Sequence, residues 1–129
     1  MGLLSYLFTS FPPLYMASHF KPPYIPTYEG ADSFLGNRAT KRVSGNTMLV
    51  RLASVDHGNN PIALRLYNTD IVTYHENGKI EIATGGYFTN TTKRYINGAA
   101  PVGVCQKDFT WYVNGKAWDG EPLEVQAAR

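Results

Sequence analysis

From Thr47 onward the chain is built of short runs in which apolar and polar positions alternate, each closed by turn residues. A period of two is the repeat of a strand with one buried face. The runs Thr47–Ala53, Ile62–Tyr67, Asp70–His75, Lys79–Thr84, Val102–Lys107, Thr110–Val113 and Lys116–Trp118 are therefore predicted strands. Asn90 to Asn97 breaks the rhythm and reads as a helix, with Thr89 or Asn90 as N-cap and Gly98 just past its end. At about two turns it is marginal alone, so it must be held against the sheet. The predicted fold is mainly β, a β-rich α+β arrangement: a small antiparallel meander or barrel-like sheet with one short helix.

Two Asn-Gly pairs set strand register. Asn77-Gly78, read as a two-residue turn with positive φ at both positions, puts His75 opposite Ile80, Tyr74 opposite Glu81 and Thr73 opposite Ile82. The expected core face then carries Ile71, Thr73, His75, Ile80, Ile82 and Thr84. Asn114-Gly115, read in the same way, sets Val113 opposite Lys116, Tyr112 opposite Ala117 and Trp111 opposite Trp118. A facing tryptophan pair either closes a core or, if exposed, offers a stacking platform.

Residues 1–35 differ in composition. They hold five of the eight prolines and eight of the seventeen aromatics, and Pro12-Pro13 and Pro22-Pro23 withhold amide donors and fix φ. This segment is expected to form an extended N-terminal arm in front of a compact β-rich domain, 36–129. Aromatic side chains on an extended segment do not stay bare, so Phe11, Tyr15, Phe20, Tyr24 and Tyr28 are expected to pack on the domain or on a partner. Met16-Ala17-Ser18 resembles a translation start, and the apolar MGLLSYLF lacks the basic flank of a secretory signal and the length of a membrane span.

Net charge is only +2, but its sign is unevenly spread. Arg38, Lys41, Arg42 and Arg51 share a stretch without acids, as do Lys93, Arg94 and Lys107. Gly85-Gly86, then Thr91-Thr92-Lys93-Arg94, place flexible backbone, hydroxyls and cations around a helix start, the ingredients of a phosphate site. With Arg65 these are the candidate phosphate or nucleic-acid residues. They lack the spacing of a P-loop or a dinucleotide fold, so the alternative is a glycine bend followed by a threonine cap. His19, His57 and His75 form no metal motif, and no nucleophile elbow is present. No enzymatic activity, metal or cofactor is expected. Cys105 is the single cysteine, so no internal disulfide forms, and it is expected to be a small core residue in a reducing cytoplasm.

Gly45-Asn46-Thr47, Ile62 through Gly78, Gly85-Gly86 through Thr91-Thr92-Lys93, Ile96-Asn97, and Val104-Cys105-Gln106 through Trp111-Tyr112-Val113 keep the order and spacing of a known pattern. With them the chain resembles a family of small tailed-bacteriophage and prophage proteins whose members read GNxTYL, IAVRLHxTDVVTYxxDG, SGGWRTxTTKxRIN and VYQxxGVWYV. Tyr67 stands where a histidine is usual, Tyr87-Phe88 for Trp-Arg, and Tyr95 where an arginine often sits, which removes basic groups. The resemblance implies a phage origin and a compact β-rich fold, and carries no reaction with it. The expectation is a phage-encoded accessory protein that binds nucleic acid or a nucleotide phosphate in the host-cell cytoplasm. The alternative is a virion structural protein, or one that engages a phage or host protein or its own copies through the arm. No membrane partner is expected.

Overall fold

The structure, a computed structural model, describes residues 24–53 and 60–126. Phe11, Tyr15, Phe20, His19 and His57 lie outside the described residues. The chain order is α1 (Tyr28–Leu35), β1 (Thr40–Ser44), β2 (Thr47–Arg51), β3 (Ile62–Leu66), β4 (Thr69–Tyr74), β5 (Lys79–Ile82), α2 (Asn90–Ala99), β6 (Val104–Lys107), β7 (Thr110–Val113), β8 (Lys116–Trp118) and β9 (Leu123–Gln126). A six-stranded antiparallel sheet has the order β9-β5-β4-β3-β2-β1, and β6-β7-β8 form a second, three-stranded sheet. Neither closes into a barrel. The mainly β, meandering architecture is the expected one.

The large sheet buries one face. Leu49, Ile62, Leu64, Val72, Tyr74, Ile80 and Ile82 line it together with Tyr95, Ile96 and Ala99 of α2 and Ala31 and Leu35 of α1. Helix α2 buries Thr92, Tyr95, Ile96 and Ala99, the i, i+3, i+4, i+7 stripe of a helix with one apolar side. Two phenols anchor it: Tyr74 donates to Ala99 O at 2.7 Å, and Tyr95 donates to Ser44 O while exchanging a second bond with the Ser44 hydroxyl. Asn97 donates through Nδ2 to Val104 O at 2.8 Å and accepts from Val104 N through Oδ1 at 2.6 Å. It thereby caps the outer edge of β6 as a neighbouring strand would.

Four expectations are corrected. Residues 28–35 are helical rather than extended: Thr27 caps α1 by accepting from Gly30 N, and Ile25, Ala31 and Leu35 enter the core. Gly98 lies inside the last turn of α2, whose C-cap is Ala100. The loop at Asn77-Gly78 spans three residues, closed by His75 N to Lys79 O and Gly78 N to His75 O, and only Gly78 of the pair has positive φ, 96°. The pairing therefore slips by one, to Tyr74↔Ile80, Thr73↔Glu81 and Val72↔Ile82. His75 leaves the isoleucines and instead meets Glu81 Oε1 at 3.2 Å. Finally, Cys105 is exposed, because β6 buries only Val104.

The Asn114-Gly115 turn has φ of 49° and 89° and yields the expected register, with Trp111 opposite Trp118. Their rings lie 6.4 Å apart and are buried, so the pair closes a core and is no stacking platform.

Candidate functional site

Thr89 starts α2. Its hydroxyl accepts from Thr92 N at 3.1 Å and donates to Thr92 Oγ1, leaving Thr91 exposed on the first turn. Ahead of it, Gly85 and Gly86 bend the chain away from β5 with φ of 63° and 89°. Gly85 is required by a close approach as well as by its φ: a Cβ there would stand 2.5 Å from Thr69 Cγ2. This contact presses the bend onto the β3–β4 turn. The glycines therefore shape the site; their place matches the bend reading.

The approach creates a cleft of about 490 Å³ lined by Leu66, Tyr67, Asn68, Thr69, Ile71, Thr84, Tyr87, Thr89, Thr91 and Thr92. Leu66 and Ile71 are buried and give it an apolar floor, while Tyr67 and Tyr87 are 67% and 62% exposed. Thr84 is held in place, donating to Gly120 O and accepting from Gly86 N. None of these described lining residues is charged.

Tyr67 also borders a second hollow of about 320 Å³, lined by Arg42, Gly45, Asn46, Met48, Arg65 and Asn68. It occupies the first position of the two-residue β3–β4 turn with φ 56°, a conformation glycine normally supplies, at roughly 1–2 kcal/mol for any other residue. Arg65 makes a paired contact with Asp70, Nε to Oδ1 at 2.6 Å and Nη2 to Oδ2 at 3.3 Å. The hydrogen bond to Asp70 raises the guanidinium above its ordinary value, against the opposing effect of burial. Arg42 Nε donates to Gly45 O. A ridge made by Tyr67 and Asn68 thus separates an uncharged cleft from an arginine-lined hollow.

The predicted residues are only partly brought together. Thr91 and Thr92 line the cleft, and Gly85 of the glycine bend packs against its lining residue Thr69; Lys93 and Arg94 follow on α2, with Lys93 Nζ 5.7 Å above the Trp111 ring. Arg65 lies across the ridge. Most of the Arg38–Arg51 cluster serves the fold. Arg51 reaches Asp32 Oδ1, Gly36 O and Arg38 O around the end of α1, Arg38 donates to Thr40 O, and Lys41 donates to Phe34 O. Of the described arm tyrosines, Tyr24 is 62% exposed, and Tyr28 donates to Asn60 O and Glu76 Oε2. Burial first, then Glu76, raises the Tyr28 phenol above its usual value.

Sequence reasoning missed Tyr67, Asn68, Thr69, Thr84 and Tyr87 as site residues. The available signal was the pair of tyrosines standing at the two places where the phage-family pattern has His and Trp-Arg. Among the described residues no cluster of three or more His, Cys, Asp or Glu is placed to hold a metal ion, and no helix is long and apolar enough to cross a membrane.

No curated protein and no solved structure matches the chain. A family does: residues 31–128 match the one described as Kyanoviridae Gp96 protein, a span that takes in both sheets, both sides of the Tyr67 ridge and nearly all of the described chain. The chain belongs to this phage protein family.

Proposed function

We propose that this phage protein is a non-enzymatic accessory protein that binds nucleic acid or a nucleotide phosphate. The observation that carries the reading is the Tyr67 ridge. On one side lies a cleft bordered by the first turn of α2, with Lys93 and Arg94 next along the helix, and on the other a hollow containing Arg42 and Arg65. Aromatic rings beside an arginine-lined hollow suit a strand whose bases stack and whose phosphates meet positive charge. The cleft lining offers rings, hydroxyls and one amide but no carboxylate or imidazole to move a proton, which supports binding over turnover. In this reading the protein works in the host-cell cytoplasm. Equilibrium binding of single-stranded and duplex DNA and RNA across a salt series tests it: binding that strengthens as salt falls is expected, and no binding at low salt sinks it.

One observation favours a protein partner instead. Phe109 is 96% exposed at the tip of the β6–β7 hairpin, where it and Asp108 both have positive φ, 67° and 52°. Beside it is a hollow of about 290 Å³ lined by Phe88, Trp111, Trp118 and Asp119. An aromatic tip flanked by acidic Asp108 and Asp119 suits a phage or host protein, or a virion neighbour, better than a polyanion. Co-purification from infected cells should then lose its protein partner in a Phe109→Ser variant; undiminished recovery counts against this reading.

A further inference from the structure

We propose that the cleft between Tyr67 and Tyr87 is a pocket for one unpaired base of a single strand, an inference that rests on the nucleic-acid reading above and names what that site selects. Its lining residues carry no charge, which fits a neutral ring better than a phosphate alone. Leu66 and Ile71 supply an apolar floor, and the two tyrosines at the rim leave most of their surface uncovered. Asn68 brings one amide donor pair and one acceptor, and Thr69 and Thr91 bring hydroxyls that both donate and accept, matching the mixed edge of a base. The volume, about 490 Å³, lies within the range of small-ligand sites. Tyr67 is kept at this rim in a backbone conformation unfavourable for its residue type, an outlier placed where a stacking ring is needed.

The same features select single strands. A base inside a duplex is stacked on both faces and paired at its edge, so it enters a pocket only after being flipped out. A saccharide is the other neutral ring ligand such a lining could take. It has no use for Arg42 and Arg65 across the ridge, whereas a strand passing over Tyr67 brings a phosphate to that hollow.

Fluorescence anisotropy at low salt decides among these. Its probes are a short thymidine single strand, an abasic strand of equal length, a duplex of equal length and a neutral oligosaccharide. The thymidine strand should bind about tenfold or more tightly than the abasic strand. Tyr67→Ala and Tyr87→Ala should each remove about that factor for the thymidine strand and leave abasic binding unchanged. Tyr67→Phe and Tyr87→Phe, which keep the rings, should restore it, with circular dichroism confirming the fold of all four. Equal affinity for abasic and thymidine strands overturns the base pocket while the nucleic-acid reading stands. Binding of no strand overturns both, and binding of the oligosaccharide alone makes the cleft a saccharide site and overturns the proposal.

Discussion

Gly85 is the residue on which the cleft turns. Its φ of 63° and the 2.5 Å that would separate a Cβ from Thr69 make any side chain doubly unfavourable. Gly85→Ala is expected to destabilise the fold by about 1–3 kcal/mol and to weaken cleft binding further than Gly86→Ala, since a Cβ at Gly86 meets nothing. Thermal melts of both variants beside a binding titration check this. Thr47 gives a change of opposite sign. Its hydroxyl is fully buried and, among the described residues, has no hydrogen-bond partner, so it carries a desolvation penalty without return. Thr47→Val preserves shape and removes that group. It should raise stability by roughly 1 kcal/mol in urea denaturation, and a loss of stability would show that the hydroxyl is satisfied in solution.

Elements show where local sequence suffices and where packing overrides it. Asn114-Gly115 and Asn77-Gly78 are the same dipeptide, yet one forms a two-residue turn and the other a three-residue loop in which Asn77 Oδ1 accepts from Lys79 N. The two-residue reading would have turned Tyr74 and Val72 outward; the observed slip buries both beside Ile80 and Ile82 and leaves Thr73, His75 and Glu81 on the other face. That difference in apolar burial outweighs the local turn preference. Strand β1, TKRVS, escaped notice because it is a short, polar edge without the alternation of a half-buried strand, and β9, LEVQ, although it alternates, because it is an edge of only four residues. The threonines of α2 were legible as a cap or phosphate site because they are contiguous. The cleft was not, since the β3–β4 turn, the glycine bend and α2 meet only through packing. Thr89 serves both the helix and the cleft wall, so Thr89→Ala should cost about 1 kcal/mol of stability, whereas Thr89→Ser or Thr89→Asp should retain it.

At the scale of the whole molecule, pH and salt report on different parts of this arrangement. Burial of Tyr74 against α2 raises its phenol far above the ordinary value of 10.0. Its contribution is thus complete below about pH 10 and is lost as pH rises above that, because the unfolded chain then releases a proton the folded one retains. Alkaline unfolding followed by circular dichroism should therefore begin near pH 10, and Tyr74→Phe should flatten that limb while losing one buried hydrogen bond. Salt tests the proposed binding surface. The chain has 12 Lys and Arg, but Arg38, Lys41 and Arg51 hold the α1 region, and Asp70 balances Arg65. A strand on the Tyr67 ridge then meets positive charge from Arg42 and, along α2, Lys93, about two phosphates' worth. For single strands this gives a slope of log K against log salt of about −1.4. Arg42→Ala should reduce its magnitude by about 0.7. A slope steeper than about −4 requires more cations than the ridge gathers, and would move nucleic-acid binding to another face of the protein.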